Sequence, residues 1–579
     1  MILSRRSFVT LGTALAAAPA VALKMPPPVH PAGTHLGPYG AAIAAIDAYV
    51  PKYLAELGAP GLTLALADRE GVRHVASYGY ADIASRTPVT PDQQFQIGSI
   101  SKSFVALALL QLVDEGRVDV HDPIEKYLPG LRFESPNAPI TLHHLLTHTA
   151  ALPDGALFPC DPAYRHRPTG PLGRDFHYCN MGWQALGHVI EQVDQRSLAE
   201  SLEQRLLVPL GMTSTAAVTS FERARHVVQS YWPARTDRPY PVHGSLVVAP
   251  RIMAAEGSGC VSSTPADMGR YLMLLLNGGR VGSRRLLSDA AFTAFSTPYI
   301  AADEFGNGAH YGYGIAVDTF DGHRRLRHTG GMVSFASALE VDTDSGVGVF
   351  VSVNAMQGVR PRPVAEFALR ALRAAQEKRR LPTPSPQRSP RTVADAAALI
   401  GRYDDDDGST LDVVKDGPGV ALVIVTSSVH PAGQRLPLEP VGGAEGVFVV
   451  RAEGADHDLV AFTGPALADG RLGAFGWGSA LYRREGVPRS RVMAAPTAWG
   501  AYVGHYRSED VWTGSHHIVL RAGQLWLDGF VPLEPTGDGR FWLRDEPTSP
   551  EWIAFGDFVA GRPMTMTLSG TNLERITSG

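Results

Sequence analysis

Ser99 and Lys102 stand three residues apart in Phe95-Gln96-Ile97-Gly98-Ser99-Ile100-Ser101-Lys102-Ser103-Phe104. The apolar run Val105, Ala106, Leu107, Ala108, Leu109, Leu110, Leu112 and Val113 follows, and predicts a helix over 101–115. A helix apolar nearly all round is buried. Ser99 then sits at its N-terminal end, where unpaired backbone N–H groups and the helix dipole favour developing negative charge. Lys102 lies one turn away on the same face. A serine hydroxyl becomes a nucleophile when a neighbour takes its proton, and a buried lysine can give up its own proton to serve as that neighbour. Ser-x-x-Lys is common by chance, and a plain N-cap role for Ser99 competes with this reading.

Other chemistry-bearing residues recur further along. Tyr178 and Asn180, in Asp175-Phe176-His177-Tyr178-Cys179-Asn180, precede a predicted helix over 182–193. Being two apart in an extended loop, they point the same way. His328-Thr329-Gly330-Gly331 lies just before a predicted strand. His144 and His148 have the spacing of zinc ligands on a helix, but no Glu or third ligand accompanies them, which favours a structural role. The acidic run 404–407 lacks the later ligand positions of a calcium loop and reads as a solvated turn. Cys160, Cys179 and Cys260 have no metal-ligand spacing; buried thiols are favoured over a Cys160–Cys179 disulfide, which the sequence leaves open.

These residues need elements to hold them, and 579 residues exceed a single core. Residues 1–22 read as a twin-arginine signal peptide: Ser4-Arg5-Arg6-Ser7-Phe8-Val9-Thr10, an apolar run from Leu11 to Leu23, and the small residues Ala20-Val21-Ala22. A periplasmic or secreted protein without a membrane span in its mature form is expected. Residues 38–375 alternate helical and strand patterns, including a Val-rich strand over 346–353. Residues 376–394 are basic and Pro-rich, as suits a solvated linker. Residues 395–486 and 496–579 show short β-rich runs broken by Gly, Asp and Pro.

Those two stretches repeat one another. Ile400-Gly401-Arg402-Tyr403 is echoed by Val503-Gly504-His505-Tyr506, and Pro437-Leu438-Glu439-Pro440 by Pro532-Leu533-Glu534-Pro535. Phe448, Arg451 and Glu453 recur as Phe541, Arg544 and Glu546, and Val460-Ala461-Phe462 as Ile553-Ala554-Phe555. Order and spacing are both kept, so two tandem copies of one small antiparallel β-barrel are expected. A net charge of −5 gives no electrostatic reason to expect nucleic acid as a partner.

Gly98-Ser99-Ile100-Ser101-Lys102 resembles the active-site start of the serine β-lactamase and penicillin-binding-protein superfamily, in particular the class C and peptidase S12 branch. Tyr178-Cys179-Asn180 is similar to its Tyr-x-Asn element, and His328-Thr329-Gly330 to its Lys-Thr-Gly element with His in place of Lys. Leu145-Leu146-Thr147-His148-Thr149-Ala150 and Gly259-Cys260-Val261-Ser262-Ser263-Thr264 resemble further family segments. The resemblance implies a multidomain α/β plus β protein. Its β-lactamase/transpeptidase-like domain would be an antiparallel sheet flanked by helices with a helical region, followed by two lipocalin-like barrels. It further implies catalysis by Ser99, Lys102 and Tyr178, substrate binding by Asn180, His328, Thr329 and Gly330, and an oxyanion hole from the N–H groups of Ser99 and Gly331. No metal or organic cofactor is implied.

A mostly neutral His328 supplies less fixed positive charge than lysine for a substrate carboxylate. His-x-Gly followed by two barrels is similar to the D-aminopeptidases of the S12 family. In those enzymes a barrel loop enters the active site, but no barrel residue of this sequence can be matched to it. A small molecule or short peptide is then the expected substrate. An esterase on small esters, a penicillin-binding sensor that deacylates slowly, and a ligand-binding role centred on the barrels stay open, as does a homodimer.

Overall fold

The computed structural model describes residues 25–30, 37–131, 133–135, 138–155, 166–233, 246–355, 361–385, 392–441, 445–452, 458–462, 466–488, 495–543 and 548–576. The signal-like segment, Cys160, Glu453, Arg544 and Glu546 lie outside the described residues, and so does the Cys160–Cys179 pairing. Among the described residues no helix is long and apolar enough to cross a membrane.

The most apolar segments form the centre of a nine-stranded sheet. Gly61–Asp68, Phe335–Asp342 and Val347–Val353 are buried at every position, as strands covered on both faces must be. The sheet runs Ile300–Ala301, His310–Tyr311, Ala316–Phe320, His323–Met332, Phe335–Asp342, Val347–Val353, Gly61–Asp68, Val72–Asp82, Thr87–Pro88, and every pairing is antiparallel. Strand alternation sorts the side chains. Leu62, Leu64 and Leu66 pack with the Gly40–Leu57 and Arg362–Gln376 helices. Ala65 and Ala67 face the opposite layer, which contains the Ser101–Asp114 and Pro265–Leu276 helices. The Pro265–Leu276 helix approaches the sheet closely at its own Gly269, where a Cβ would come within 2.8 Å of Val72. The Ser101–Asp114 helix is buried without a break from Ser101 to Leu112.

The repeated sequences close into two eight-stranded antiparallel barrels, spanning Gly401–Arg483 and Gly504–Arg575. The repeat falls on matching strands. The Pro-Leu-Glu-Pro copies lie on the fourth strand of each barrel, Phe448 and Phe541 on the fifth, and Val460 and Ile553 on the sixth. Tyr403 and Tyr506 are fully buried. Each donates its hydroxyl to a carbonyl four residues back, at Leu399 (2.7 Å) and Tyr502 (2.8 Å). Arg521 of the second barrel is buried against the first, where its guanidinium donates to the Gly478 carbonyl. Asp458 of the first barrel stands 3.5 Å from the His517 ring of the second. In the acidic run, Asp405 accepts the backbone N–H groups of Asp407 and Ser409, which makes it a turn.

Tyr403→Phe and Tyr506→Phe each remove a buried hydroxyl without creating a cavity; the first also loses a longer bond to the Leu472 carbonyl and the second a bond from the Arg575 guanidinium. Each is expected to lower the stability of its own barrel by about 1 kcal/mol, read as an earlier denaturant transition of that barrel by hydrogen exchange.

Candidate active site

Two backbone approaches set the geometry around Ser99. Gly98 has φ +55°, and a Cβ there would lie 2.6 Å from the Gly331 carbonyl oxygen. A Cβ on Gly330 would lie 1.8 Å from the Ile97 carbonyl oxygen. Only glycine permits these contacts, and they press the His323–Met332 strand against the turn that carries Ser99. The His328-Thr329-Gly330-Gly331 motif lies inside this strand instead of before it. Its outer neighbour pairs only as far as Arg327, so His328 to Met332 form a local edge with one paired side. Ser99 and Gly331 both line one cleft of about 830 Å³.

Lys102 is wholly buried. Its Nζ lies 3.0 Å from Ser99 Oγ, 2.7 Å from Asn180 Oδ1 and 2.8 Å from the Ser258 carbonyl oxygen. Burial pulls its pKa from 10.5 down to about 7, against the opposing attraction of Asp154. That shift corresponds to about 5 kcal/mol against the charged form. The three partners suit the neutral amine. Asn180 Oδ1 and the Ser258 carbonyl can only accept, so they take its two N–H bonds, and its lone pair is left for the Ser99 O–H.

Tyr178 also hydrogen-bonds Ser99, and burial raises its pKa so that it stays protonated. Its ring is stacked on His148, with centroids 4.4 Å apart at 23°. His148 adopts φ +58° just after the short Leu142–Leu146 helix. Its two ring nitrogens face the Cys179 N–H and the Trp183 indole N–H; the neutral ring can accept one of these donors, and an imidazolium could accept neither. Burial, then the Lys102 charge, keep its pKa well below the ordinary value. The paired spacing of His144 and His148 therefore serves structure.

Asn180 begins the Asn180–Asp194 helix. Asp154 caps this helix from another segment. Its Oδ1 accepts the N–H groups of Asn180 (2.6 Å) and Met181 (3.1 Å), and its Oδ2 accepts Asn180 Nδ2 at 2.8 Å. This fixes the amide so that its oxygen faces Lys102. The second barrel in turn fixes Asp154. Glu551 accepts the Asp154 N–H at 2.8 Å and stands 2.9 Å from His177 Nε2. It also accepts the Ser569 hydroxyl. Burial works against a charge on His177, yet the Glu551 carboxylate prevails and its pKa is raised. A Cβ on Gly155 would lie 1.7 Å from the Ser569 carbonyl oxygen, so barrel and catalytic domain meet backbone to backbone.

His328 departs from the expected substrate contact. It sits on the Ser99 side of its strand, like Gly330, but Phe305, Tyr311 and Tyr178 close around it and leave it 1% exposed. Nδ1 donates to the Thr329 carbonyl (2.6 Å), so Nε2 accepts the Tyr311 hydroxyl (2.8 Å). Burial pulls its pKa down to about 3. It is a neutral support behind Tyr178, and it does not line the cleft. Thr329 is exposed and Gly330 buried. Cys179 and Cys260 are buried thiols.

Sequence reasoning did not find Asp154, Glu551, His177 or Ser258. Pro153-Asp154-Gly155 is a turn-like triplet whose carboxylate could have been singled out. Glu551 carries a fainter signal: it stands two residues before Ile553, where the first barrel has Asp458 two before Val460. Nor did it find the loop joining the first two strands of the second barrel, which brings Asp510, Trp512 and Thr513 to the cleft, with Thr571 beside them.

Residues 46–374 match the Beta-lactamase family, and the chain belongs to it. This is a family of serine hydrolases and acyl-transferases, and the β-lactamase/transpeptidase-like fold is the one described above. An uncharacterised protein of Mycobacterium tuberculosis is 26% identical over 321 residues, 46% of this chain and 77% of that one. Penicillin-binding protein 4* of Bacillus subtilis is 23% identical over 308 residues, 48% of this chain and 64% of that one. An octameric penicillin-binding protein homologue from Pyrococcus abyssi shares the fold at a TM-score of 0.54 and 23% identity, over 76% of this chain and all of that one.

With Lys102 near pH 7 and Tyr178 held neutral, the acylation rate of Ser99 by a fluorophosphonate should rise through about pH 7 and level off above it. Below that range Lys102 carries a proton and cannot accept another. Lys102→Arg should remove this limb and slow the reaction about 10²–10⁴-fold. An unchanged limb in that variant would assign the base elsewhere.

Proposed function

We propose that the protein is an exported serine hydrolase of the D-aminopeptidase kind, which cleaves amides beside a free amino group through a covalent Ser99 ester. The observation that carries the substrate choice is the charge of the cleft. Asp154, Glu256 and Asp510 line it, and among the described lining residues there is neither Lys nor Arg. A β-lactam or a peptide C-terminus brings a carboxylate and would find carboxylates facing it, with the His188 imidazole as the basic side chain among the described lining residues. An ammonium group would meet the carboxylates of Glu256 and Asp510, beside the half-exposed Trp512 ring. Burial in the cleft wall raises the Glu256 pKa, with the His188 ring opposing the shift and the Asp510 carboxylate adding to it.

In this reading neutral Lys102 takes the Ser99 proton as Oγ bonds to the carbonyl carbon. The N–H groups of Ser99 and Gly331 hold the oxyanion. Tyr178 gives its proton to the departing amine and regains one from the Lys102 ammonium. Water then attacks the ester, its proton passing through Tyr178 to Lys102, and the Lys102 ammonium returns that proton to Ser99 Oγ as the bond to the acyl carbon breaks and the acid is released. Asn180 holds Lys102 and offers its second amide N–H to the substrate. Thr329 and Gly330 form the strand edge along which the substrate lies. Export rests on the Arg5-Arg6 motif and the apolar run after it.

The test is release of p-nitroaniline from D-alanine p-nitroanilide and from its N-acetyl derivative, with Ser99→Ala as the blank. Turnover of the free amine alone is expected. Turnover of neither, with Ser99-dependent cleavage of aryl esters, would replace the proposal with an ester hydrolase. Glu256→Gln should raise KM for the free amine roughly tenfold, equivalent to about 1.4 kcal/mol. It is a cleaner probe than Asp510, whose carboxylate also accepts the Thr513 hydroxyl in its own loop.

A further inference from the structure

We infer that His30, Asp47 and His74 form a binding site for one divalent transition metal of the zinc class, away from the Ser99 cleft. The three come from separate elements: the extended segment ending at His30, the Gly40–Leu57 helix and the Val72–Asp82 strand. Their donor atoms all lie within 4.8 Å of one another. His74 Nε2 is 3.3 Å from Asp47 Oδ1, and His30 Nε2 is 3.6 Å from Asp47 Oδ2. The two imidazole centroids are 5.1 Å apart, so both rings turn to one carboxylate.

The spacing favours a metal site over a tight ion-pair triad. Charge-assisted N–H···O bonds draw in to about 2.7–2.9 Å. Ligands about 2.0–2.1 Å from a tetrahedral zinc ion stand about 3.3 Å from one another. The His74–Asp47 contact is a long hydrogen bond at 3.3 Å and the His30–Asp47 contact is longer still at 3.6 Å, each on its own carboxylate oxygen, so both pairs stand nearer to ligand–ligand spacing than to a tight ion pair. Two imidazoles and a carboxylate are a donor set suited to zinc, with one position left for water. The Tyr78 hydroxyl donates to Asp47 Oδ1 at 2.6 Å and steadies the carboxylate from behind, as outer partners of metal ligands do. His74 is 3% exposed, while the His30 side chain is 36% exposed, so the site has a buried floor and an open entrance.

One feature limits the affinity. Metal at His74 Nε2 places the ring proton on Nδ1, which is buried with no partner among the described residues. Missing outer partners cost about 10–100-fold in metal affinity, so the site is weaker than a structural zinc site with a complete outer shell. Bound metal would tie the His30 segment, which Val29 already attaches through two backbone hydrogen bonds to Ser77, to the helix across from it.

The experiment uses the full chain, freed of metal with a chelator and then titrated with zinc by equilibrium dialysis, with thermal unfolding followed in parallel. Wild type should bind one equivalent and unfold at a higher temperature with zinc. His30→Gln removes a ligand at the surface. It should match the wild-type metal-free unfolding temperature, bind zinc at least tenfold more weakly and lose the zinc-dependent shift. Absence of zinc binding by wild type, or equal binding by His30→Gln, would overturn the inference.

Discussion

An amine buried away from bulk solvent is the constraint from which the rest of the site follows. Lys102 is buried where its charge is costly, and it persists because three oxygen atoms face it and because losing a proton relieves the cost. Those three oxygens belong to three distant parts of the chain: Ser99, Asn180 and Ser258. Their convergence requires the Ser101–Asp114 helix to be sheathed in apolar neighbours, the glycine contacts of Gly98 and Gly330 to bring in the sheet, and Asp154 to orient the Asn180 amide. The neutral rings of His148 and His328 complete the enclosure. An added cation beside Lys102 would favour its proton loss further, but two buried imidazolium ions would be too costly to keep. Both rings accordingly have surroundings that keep them uncharged.

The second barrel is part of this arrangement and not a separate appendage. Glu551 holds two segments at once, one through the Asp154 N–H and one through His177, the neighbour of Tyr178. The barrel also lends the cleft a wall through the loop bearing Asp510 and Trp512. The contacts that position Asp154 and the residues that line the cleft therefore arrive through the same docking surface.

Much of this was legible in the sequence, for identifiable reasons. The helix after Ser99 could be read because a run apolar on all sides has one stable place, and the barrels because the second copy corroborates the first. The Tyr178-Cys179-Asn180 element was visible by resemblance. What could not be read was long-range and polar. The burial of His328 depends on Phe305 and Tyr311, which reach it through tertiary packing. Asp154 caps a helix that begins 26 residues later, and such a cap leaves no local spacing to detect. The His30–Asp47–His74 cluster joins three elements whose mutual placement only the fold supplies.

The Glu551–His177 contact also orders events in time. A chain is made from its N-terminus, and these partners are 374 residues apart. During synthesis Ser99, Lys102, Tyr178 and Asn180 all exist long before the carboxylate that clamps the segments around them. The nascent hydrolase domain is thus produced with its reactive loop unsecured, and the securing group comes only when the second barrel has been made and closed. A product truncated before the second barrel would carry Ser99, Lys102, Tyr178 and Asn180 and still lack the Glu551 contacts to Asp154 and His177.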